Sequence, residues 1–447
     1  MRIDRLTLTN FKCFPQDSFE LHPQFTLFVG DNGSGKTSIL EGLAVAAGSW
    51  LLGIPGQRSR SLRPEEVRFT ALGGHSNGLD GQGIAEPASW EPHYPCAVEA
   101  EGRVQGEAMT WRRELKSWPG RTTSRDAEAI KASADKASTT AREGDGLLPL
   151  IAHYGVCRLC SQAPDQAIVR SERALTERTK LSRLQGYADA MTPRVSPTAF
   201  VRWIARQTWI SFQQAGRQTG AFKAVQQAIA DCLPGARSID FDAALGQVVI
   251  DFGPRGLQPF TQLSDGQRSM LAMVADIATR AATLNPHLGA AVLIETPGVV
   301  LIDELDLHLH PKWQRLVATA LKRAFPSIQF VCTSHSPQVI GELHRDEVRL
   351  LRDGRVEQPY IAFGADSNWI LDHVMAEGTS SQNQEARRLR VAVEDALDAG
   401  DLDAAHASIA RWRKLLDGET AELAELAAYL DRLERLAAIE DDEEAEP

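Results

Sequence analysis

Apolar residues recur along this chain with two different periods. In "RIDRLTLTNFKCF", Arg2 to Phe14, the apolar Ile3, Leu6 and Leu8 stand among charged and polar neighbours, and "FELHPQFTLFVG", Phe19 to Gly30, continues in that manner to a glycine. Such stretches predict strands. From Ser38 to Leu52 the spacing becomes helical and alanine-rich. Residues 53–90, rich in Gly, Pro and Ser, read as loop with room for a short helix. Cys96–Gln105 and Glu107–Lys116 alternate about "EGRVQGE" and predict an antiparallel hairpin. Ser117–Gly146 is polar and Ser/Thr-rich, which predicts a mobile loop holding a weak helix at most. Leu147–Val156 ("LLPLIAHYGV") reads as a buried strand, and 165–235 as mostly helical with breaks at Pro193 and Pro197.

"RSIDFDAALGQVVIDFG" returns to strands, and "SMLAMVADIATRAATLNP" is a helix stopped by Asn-Pro. Two short apolar strands, "GVVLIDE" and "SIQFVCTSH", flank the helix "PKWQRLVATALKRAF". That β-α-β order predicts a parallel sheet. After about Asp366 only helical spacing remains, in "QNQEARRLRVAVEDALDAG", "DLDAAHASIARWRKLLDG" and "ETAELAELAAYLDRLERLAAIE". The pattern predicts an α/β body over 1–365, a small all-α appendix over 366–438 and a disordered acidic tail over 439–447. Within the body the expected boundaries are about 1–164, a helical insertion at about 165–235, and 236–365.

Composition changes this picture little. The chain is 43% hydrophobic and 24% charged over 447 residues, ordinary for a globular protein. No apolar run reaches eighteen residues and the first segment lacks the apolar core of a signal peptide, so a cytoplasmic protein is expected and no membrane partner. The net charge of −11 is uneven: Asp366–Pro447 holds 21 acids against 8 Lys/Arg. The body is therefore slightly basic, and the overall acidity does not argue against nucleic-acid binding. Of six cysteines only Cys157 and Cys160 form a C-x-x-C pair. A structural zinc site commonly needs a second such pair, so reduced cysteines are expected.

Four short strings carry chemistry. "TLFVGDNGSGKTSILEGL" contains G-x-x-x-x-G-K-[ST] as Gly30, Gly35, Lys36 and Thr37, after an apolar strand and at the start of a helix. Backbone N–H groups from Gly30 through Asp31, Asn32, Gly33, Ser34 and Gly35 to Ser38 can turn toward phosphate oxygens, Lys36 adds charge, and Thr37 offers Mg²⁺ a hydroxyl. By composition this pattern arises by chance in about one chain in a hundred of this length. "LSDGQ", Leu263–Gln267, places Ser264, Gly266 and Gln267 at a helix start, which reads equally as a serine cap and as a phosphate device. Its position between the P-loop and an acidic strand gives it force. Val299–Ile302 ends in Asp303 and Glu304, one carboxylate for Mg²⁺ and one to polarise water. "FVCTSHSP" ends a strand at His335, a candidate contact to a γ-phosphate.

In this order the four strings resemble the Walker A, signature, Walker B with D-loop, and H-loop of an ABC-type ATPase. "LTLTNFKCF" and "TSHSP" are similar to the SMC/RecF/OLD branch, of the AAA_15/AAA_21 type. The resemblance implies a P-loop head with a mixed sheet, an antiparallel lobe and a helical lobe. It also implies ATP and Mg²⁺ as ligands, with Lys36, Glu304 and His335 as the catalytic set. ATP would be sandwiched in a homodimer or higher oligomer, with Ser264, Gly266, Gln267 and Asp306 of one protomer completing the site of the other. Gln162 or Arg158, in "HYGVCRLCSQ", would stand at the family's Q-loop, with Gln162 the candidate Mg²⁺ contact.

About 225 residues separate Thr37 from Leu263 without sustained heptads, which excludes long coiled-coil arms. Asp401 and Asp403 lie between helices and read as a helix cap rather than a nuclease centre, so no nuclease is expected in cis. "LPLIAHYGVCRL", "SRLQGYADAM", "LIDELDLHLHPKWQ" and "SNWILDHVM" resemble the PtuA-like ATPases of Septu anti-phage systems. That likeness implies an HNH endonuclease of the PtuB type supplied in trans and DNA as a partner. The rival implication is a RecF-like repair or chromosome-maintenance clamp with no nuclease partner. Two basic runs, Arg58/Arg60/Arg63/Arg68 and Arg170/Arg173/Arg178/Lys180/Arg183, could line phosphates or be solvated faces. His308 and His310 beside Asp306 suggest a metal cluster, but H-x-H on a turn lacks a third ligand, so packing near a dimer seam is favoured.

Overall fold

The computed structural model describes residues 1–72, 89–144, 146–158, 182–195, 197–352, 354–375, 383–416, 418 and 420–444, with side chains as far as residue 435. Two compact units result, Met1–Asp366 and Ser367–Pro447.

The larger unit opens with β1 (Arg2–Phe11), β2 (Phe14–Glu20), β3 (Phe25–Gly30) and α1 (Lys36–Gly48). A two-stranded pair, β4 (Phe69–Leu72) and β5 (Ser89–Pro92), precedes the hairpin β6 (Cys96–Val104) and β7 (Glu107–Leu115). Next come α2 (Glu128–Glu143), β8 (Leu150–Tyr154), α3 (Pro197–Gln213) and α4 (Gly220–Cys232). β9 (Ser238–Asp242), β10 (Gln247–Asp251) and β11 (Leu257–Pro259) form a small antiparallel sheet before α5 (Asp265–Leu284). β12 (Gly298–Ile302), α6 (Pro311–Ala324), β13 (Ile328–Thr333), β14 (Val348–Arg352) and β15 (Arg355–Glu357) complete it.

Two principal sheets matter for function. The antiparallel one runs β2-β1-β6-β7, and the other runs β15-β14-β3-β13-β12-β8. In the second, β14, β3, β13, β12 and β8 are all parallel, and only β15 is antiparallel. Helix α1 touches strands of both sheets and is apolar almost all round, from Ile39 to Ala47, as an interior helix must be. Gln329 stitches the sheets together. Its amide accepts from the Ile3 N–H at 2.9 Å and donates to the Ile3 and His22 carbonyls at 2.7 and 3.0 Å. This buried polar side chain is fully partnered, so it costs little and fixes register.

Ser117–Gly146 departs from expectation, because Glu128–Glu143 is a sixteen-residue helix. Ile130, Ala134, Ala137 and Ala141 recur at helical spacing and bury against the turn Ser49–Gly53. That tertiary contact, not propensity in a polar sequence, makes the helix. Pro197 opens α3 rather than breaking it, since a proline at the first helical position gives up no intrahelical bond. Cys157 is disulfide-bonded, contrary to the expected reduced state, while Cys13, Cys96, Cys232 and Cys332 are free. No described helix is long and apolar enough to cross a membrane.

The smaller unit contains α7 (Gln384–Asp398), α8 (Leu402–Leu416) and α9 (Ala421–Glu444). Its core joins Val393, Ile409, Trp412, Leu423 and Leu430. Helix α9 continues into the acidic segment as far as Glu444, in a run of good helix formers. Asp401 accepts from the Ala404 N–H at 2.9 Å, a cap on α8.

One titration bears on stability. His153 on β8 is buried with Nδ1 unpartnered, and burial first, then the Arg60 charge, lowers its pKa to about 4. The folded state therefore resists protonation that the unfolded chain accepts. We expect full stability above pH 6.5 and a loss of about 3 kcal/mol as pH falls to about 4, at roughly 1.4 kcal/mol per pH unit. Urea melts of the wild type and of His153→Leu across that window check this, with the variant giving the flatter profile.

Candidate active site

The parallel register decides what meets what. Ile302 pairs with Cys332, and Thr333 pairs with Phe28, so β12, β13 and β3 end along one edge. The residues just beyond them are Asp303–Glu304, Ser334–His335 and the loop Asp31–Gly35. A cavity of about 270 Å³ opens there, lined by Lys12, Cys13, Asn32, Gly33, Gly35, Lys36, Thr37, Ser38, Asp303, Glu304, Thr333 and His335. The three sequence-predicted strings thus converge at a strand-end crevice, the usual ligand position in parallel sheets.

The loop is built for an anion. Gly35 has φ of 100°, and a Cβ there would lie 2.6 Å from the Phe14 ring and 2.8 Å from Cys13 Sγ, so only glycine fits. Lys36 folds back and donates to the Gly30 and Asp31 carbonyls, both at 2.7 Å. Burial lowers its pKa, opposed by the charges of Asp303, Asp31 and Glu304. Ser34 Oγ is buried without a partner. An orphaned hydroxyl and a lysine satisfied only by its own loop are what a phosphate would engage, so the residues fit the nucleotide.

Asp303 is the hub. Its carboxylate accepts from Thr333 Oγ1 at 2.6 Å and from Thr37 Oγ1 at 3.1 Å. Thr333 Oγ1 in turn accepts from the Glu304 N–H at 2.8 Å. A carboxylate beside a P-loop hydroxyl is the donor pair Mg²⁺ prefers, so Thr37 and Asp303 fit that ion. Glu304 holds a left-handed φ of 48°, unusual for a non-glycine residue and of the kind that clusters at active sites.

In the sequence Arg158 stands only as an alternative to Gln162 at the Q-loop. In the structure its guanidinium donates to the backbone carbonyls of Asp303 and Glu304 at 2.6 and 2.5 Å, and to the Gly155 carbonyl at 3.2 Å. The side chain is buried, which lowers its pKa, against the acids Asp303, Asp306 and Glu304 and the Cys332 thiol. Arginine in "YGVCR" after a strand was the available signal, but only the fold reveals which carbonyls it clamps. Gln162 lies outside the described residues, as do Arg170, Arg173, Arg178 and Lys180.

Ser264, Gly266, Gln267 and Asp306 do not line the cavity. Ser264 caps α5 in a reciprocal box with Gln267, at 3.0 and 3.4 Å, and stays exposed. Gly266 lies against the D-loop: a Cβ there would approach the His308 carbonyl oxygen to 2.2 Å. Asp306 Oδ1 is buried without a partner. His310 caps α6, its Nδ1 accepting from the Lys312 N–H at 3.2 Å. No group of three or more metal-ligating side chains occurs among the described residues. In the first basic run, Arg60 is tied to Glu66 at 2.6 Å and to the Glu41 carbonyl, so it holds the fold rather than facing phosphates. Arg183 is likewise turned to the carbonyls of Leu284 and Ala141, at 2.7 and 3.1 Å.

Comparison with known proteins now adds to this geometry. One family model, "AAA domain" (AAA_23), matches residues 5–192, and a second, "AAA domain, putative AbiEii toxin, Type IV TA system" (AAA_21), matches residues 182–341. Between them the two matches span residues 5–341, which resemble AAA-type ATPase domains. It is 37% identical over 34% of its length to the "Retron Ec83 probable ATPase" of Escherichia coli, of which the match spans 27%. It is 25% identical over 79% of its length to the "Retron Vc95 probable ATPase" of Vibrio cholerae, spanning 74% of that protein. Against the "Septu protein PtuA" of Bacillus mycoides it is 33% identical over 31% of its length, spanning 19% of PtuA. The chain thus resembles PtuA and the retron ATPases, and it spans about a quarter of the first of these relatives.

The clamp yields a prediction. Arg158→Lys keeps a cation but cannot hold both carbonyls in the same fork. Turnover of ATP should fall by roughly 10- to 100-fold, the scale of a small misplacement at a reacting centre, with ATP affinity changed less than about threefold. Steady-state hydrolysis and equilibrium nucleotide binding, measured on one preparation, separate the two.

Proposed function

We propose that this protein binds and hydrolyses ATP, closes a homodimer or higher oligomer around it, and regulates a nuclease supplied in trans in a bacterial anti-phage defence system. The observation that carries the chemistry is the shared edge where Lys36, Thr37, Asp303, Glu304 and His335 surround one cavity. Mg²⁺ held by Thr37 and Asp303 would offset charge on the β- and γ-phosphate oxygens. Lys36 exchanges its two loop carbonyls for phosphate oxygens. Glu304, its backbone fixed from Arg158 and Thr333, orients water and takes its proton. His335 donates to the γ-phosphate. Because the exposed Ser264 lies outside the cavity, a second protomer must bring its signature to the first. Gln267, which boxes Ser264, and the D-loop with Asp306, which Gly266 touches at His308, would come with it.

The defence role and the PtuB-type HNH partner rest on the likeness to PtuA and the retron ATPases. DNA is the expected target of the assembly.

Glu304→Gln should keep ATP and lose turnover by at least about 100-fold, the usual contribution of a general base. It should also sediment as a stable oligomer with ATP. Hydrolysis near the wild-type rate would remove Glu304 as the base. Separately, the purified chain with DNA and Mg²⁺ should leave the DNA intact. Cleavage should begin only when an HNH protein encoded beside it is added, and cutting by the chain alone would end the trans assignment.

A further inference from the structure

The second half of α3 stands out from the body. Phe200, Val201 and Ile204 bury its first turns, and Trp203 packs edge-on against Phe222 of α4 at 6.0 Å. From residue 205 to the end of the helix no side chain is buried. Arg202, Arg206 and Trp209 follow at i, i+4 and i+7, so they share one face. All three are exposed, Trp209 at 54%, and Phe212 one turn on is exposed at 75%. The Trp209 and Phe212 rings stack on each other, 5.9 Å apart and 26° from parallel. Two large aromatic faces thus stand in solvent, held in place but uncovered.

The charge around them has one sign. Between Asp189 and Asp231 the chain holds no acidic residue, and it carries Arg194, Arg202, Arg206, Arg217 and Lys223. The body as a whole carries little net charge, so this stretch concentrates positive charge. Asp240 and Asp242 on β9, a strand that packs against α3, are engaged elsewhere. Asp240 accepts from Gln226 at 2.8 Å, and Asp242 caps the turn at Ala244 and Leu245 at 2.8 and 2.9 Å. None of Arg202, Arg206 and Arg217 has an ion pair among the described residues.

We propose that this face of α3 binds single-stranded nucleic acid, with unpaired bases stacking on Trp209 and Phe212 and phosphates running past Arg202 and Arg206. An exposed stacked pair beside uncompensated arginines matches both halves of that ligand, a π-face and an anionic backbone. A duplex keeps its bases stacked inside and would use the arginines alone. The inference rests on α3 and not on the ATP site, so binding is measured without nucleotide and its failure leaves the ATPase reading untouched.

The test uses the full chain and fluorescence anisotropy with a labelled twenty-nucleotide oligo(dT), a duplex of equal length, and an abasic strand of that length. Wild type should prefer oligo(dT) over both. Trp209→Ala/Phe212→Ala should weaken oligo(dT) by at least about tenfold and bring it level with the abasic strand. Arg202→Gln/Arg206→Gln should weaken all three ligands and flatten the salt dependence for oligo(dT) by about 1.4 in log–log slope, at about 0.7 per phosphate contact. Both variants should keep the wild-type melting profile, since the altered side chains are exposed. Equal wild-type affinity for duplex and oligo(dT), or an unaltered aromatic variant, overturns the proposal. So does an aromatic variant that changes only self-association in sedimentation, which would make the face a protein contact.

Discussion

The head depends on one shared carboxylate. Asp303 takes hydroxyls from Thr37, at the start of α1, and Thr333, at the end of β13, while standing itself at the end of β12. Three segments far apart in sequence are thereby fixed to one point. The parallel register makes this possible, because a one-residue slip of β12 against β13 would turn Asp303 to the opposite face of the sheet. Charge-assisted bonds of this kind are among the stronger side-chain contacts, and here they also hold ready the oxygens that a divalent ion would use. Structure and proposed chemistry therefore draw on the same atoms.

Holding Glu304 in position has a cost. Its left-handed backbone is disfavoured by roughly 1–3 kcal/mol, and the buried Arg158 guanidinium loses solvation. Hydrogen bonds around Glu304 offset both costs. Arg158 donates to the carbonyls on both sides of the Asp303–Glu304 junction, which are turned toward it by that backbone. The Glu304 N–H, turned the other way, finds Thr333. Either group alone would leave a buried polar atom without a partner. Together they give a rigid support for a side chain that must face the cavity.

Much of this was legible in the sequence, for identifiable reasons. Buried parallel strands are written as continuous apolar runs, so Val299–Ile302 and Phe330–Cys332 announced themselves. The P-loop needs glycine at 35 for its φ and at 30 for the close approach of the Leu351 carbonyl, so its pattern survives as a string. Gln329, Arg158 and α2 were not legible in the same way. Gln329 works by reaching a backbone more than 300 residues away, at Ile3. Helix α2 is polar in composition and exists because four small or apolar side chains meet a turn at 49–53. Two members of the basic runs show the converse: Arg60 and Arg183 are charged residues whose partners are carbonyls and acids of the fold. A run of arginines records charge, whereas only packing records whether that charge is already satisfied.

The same distinction gives α5 a role beyond its cap. Its N-terminus carries the signature and touches the D-loop through Gly266 and His308. Further along, Asp276 accepts from Tyr154 of β8 at 2.8 Å and from Arg280 at 2.7 Å, and Arg280 reaches the Gly186 and Ala188 carbonyls at 2.9 and 2.8 Å. Helix α3 packs on the same α5. The helix is thus gripped at the D-loop, at the edge of the parallel sheet and by the α3 layer, all through close-packed or buried polar contacts that resist gradual deformation. On the reading proposed above, a partner chain's nucleotide pulls at one end of α5 while a strand bound to Trp209 and Phe212 loads the layer packed on its side. If a bound strand changes ATP affinity by shifting α5, ATP must change strand affinity by the same factor, because linkage between two sites is reciprocal. The sequence needs no separate relay between them, since one helix already belongs to both.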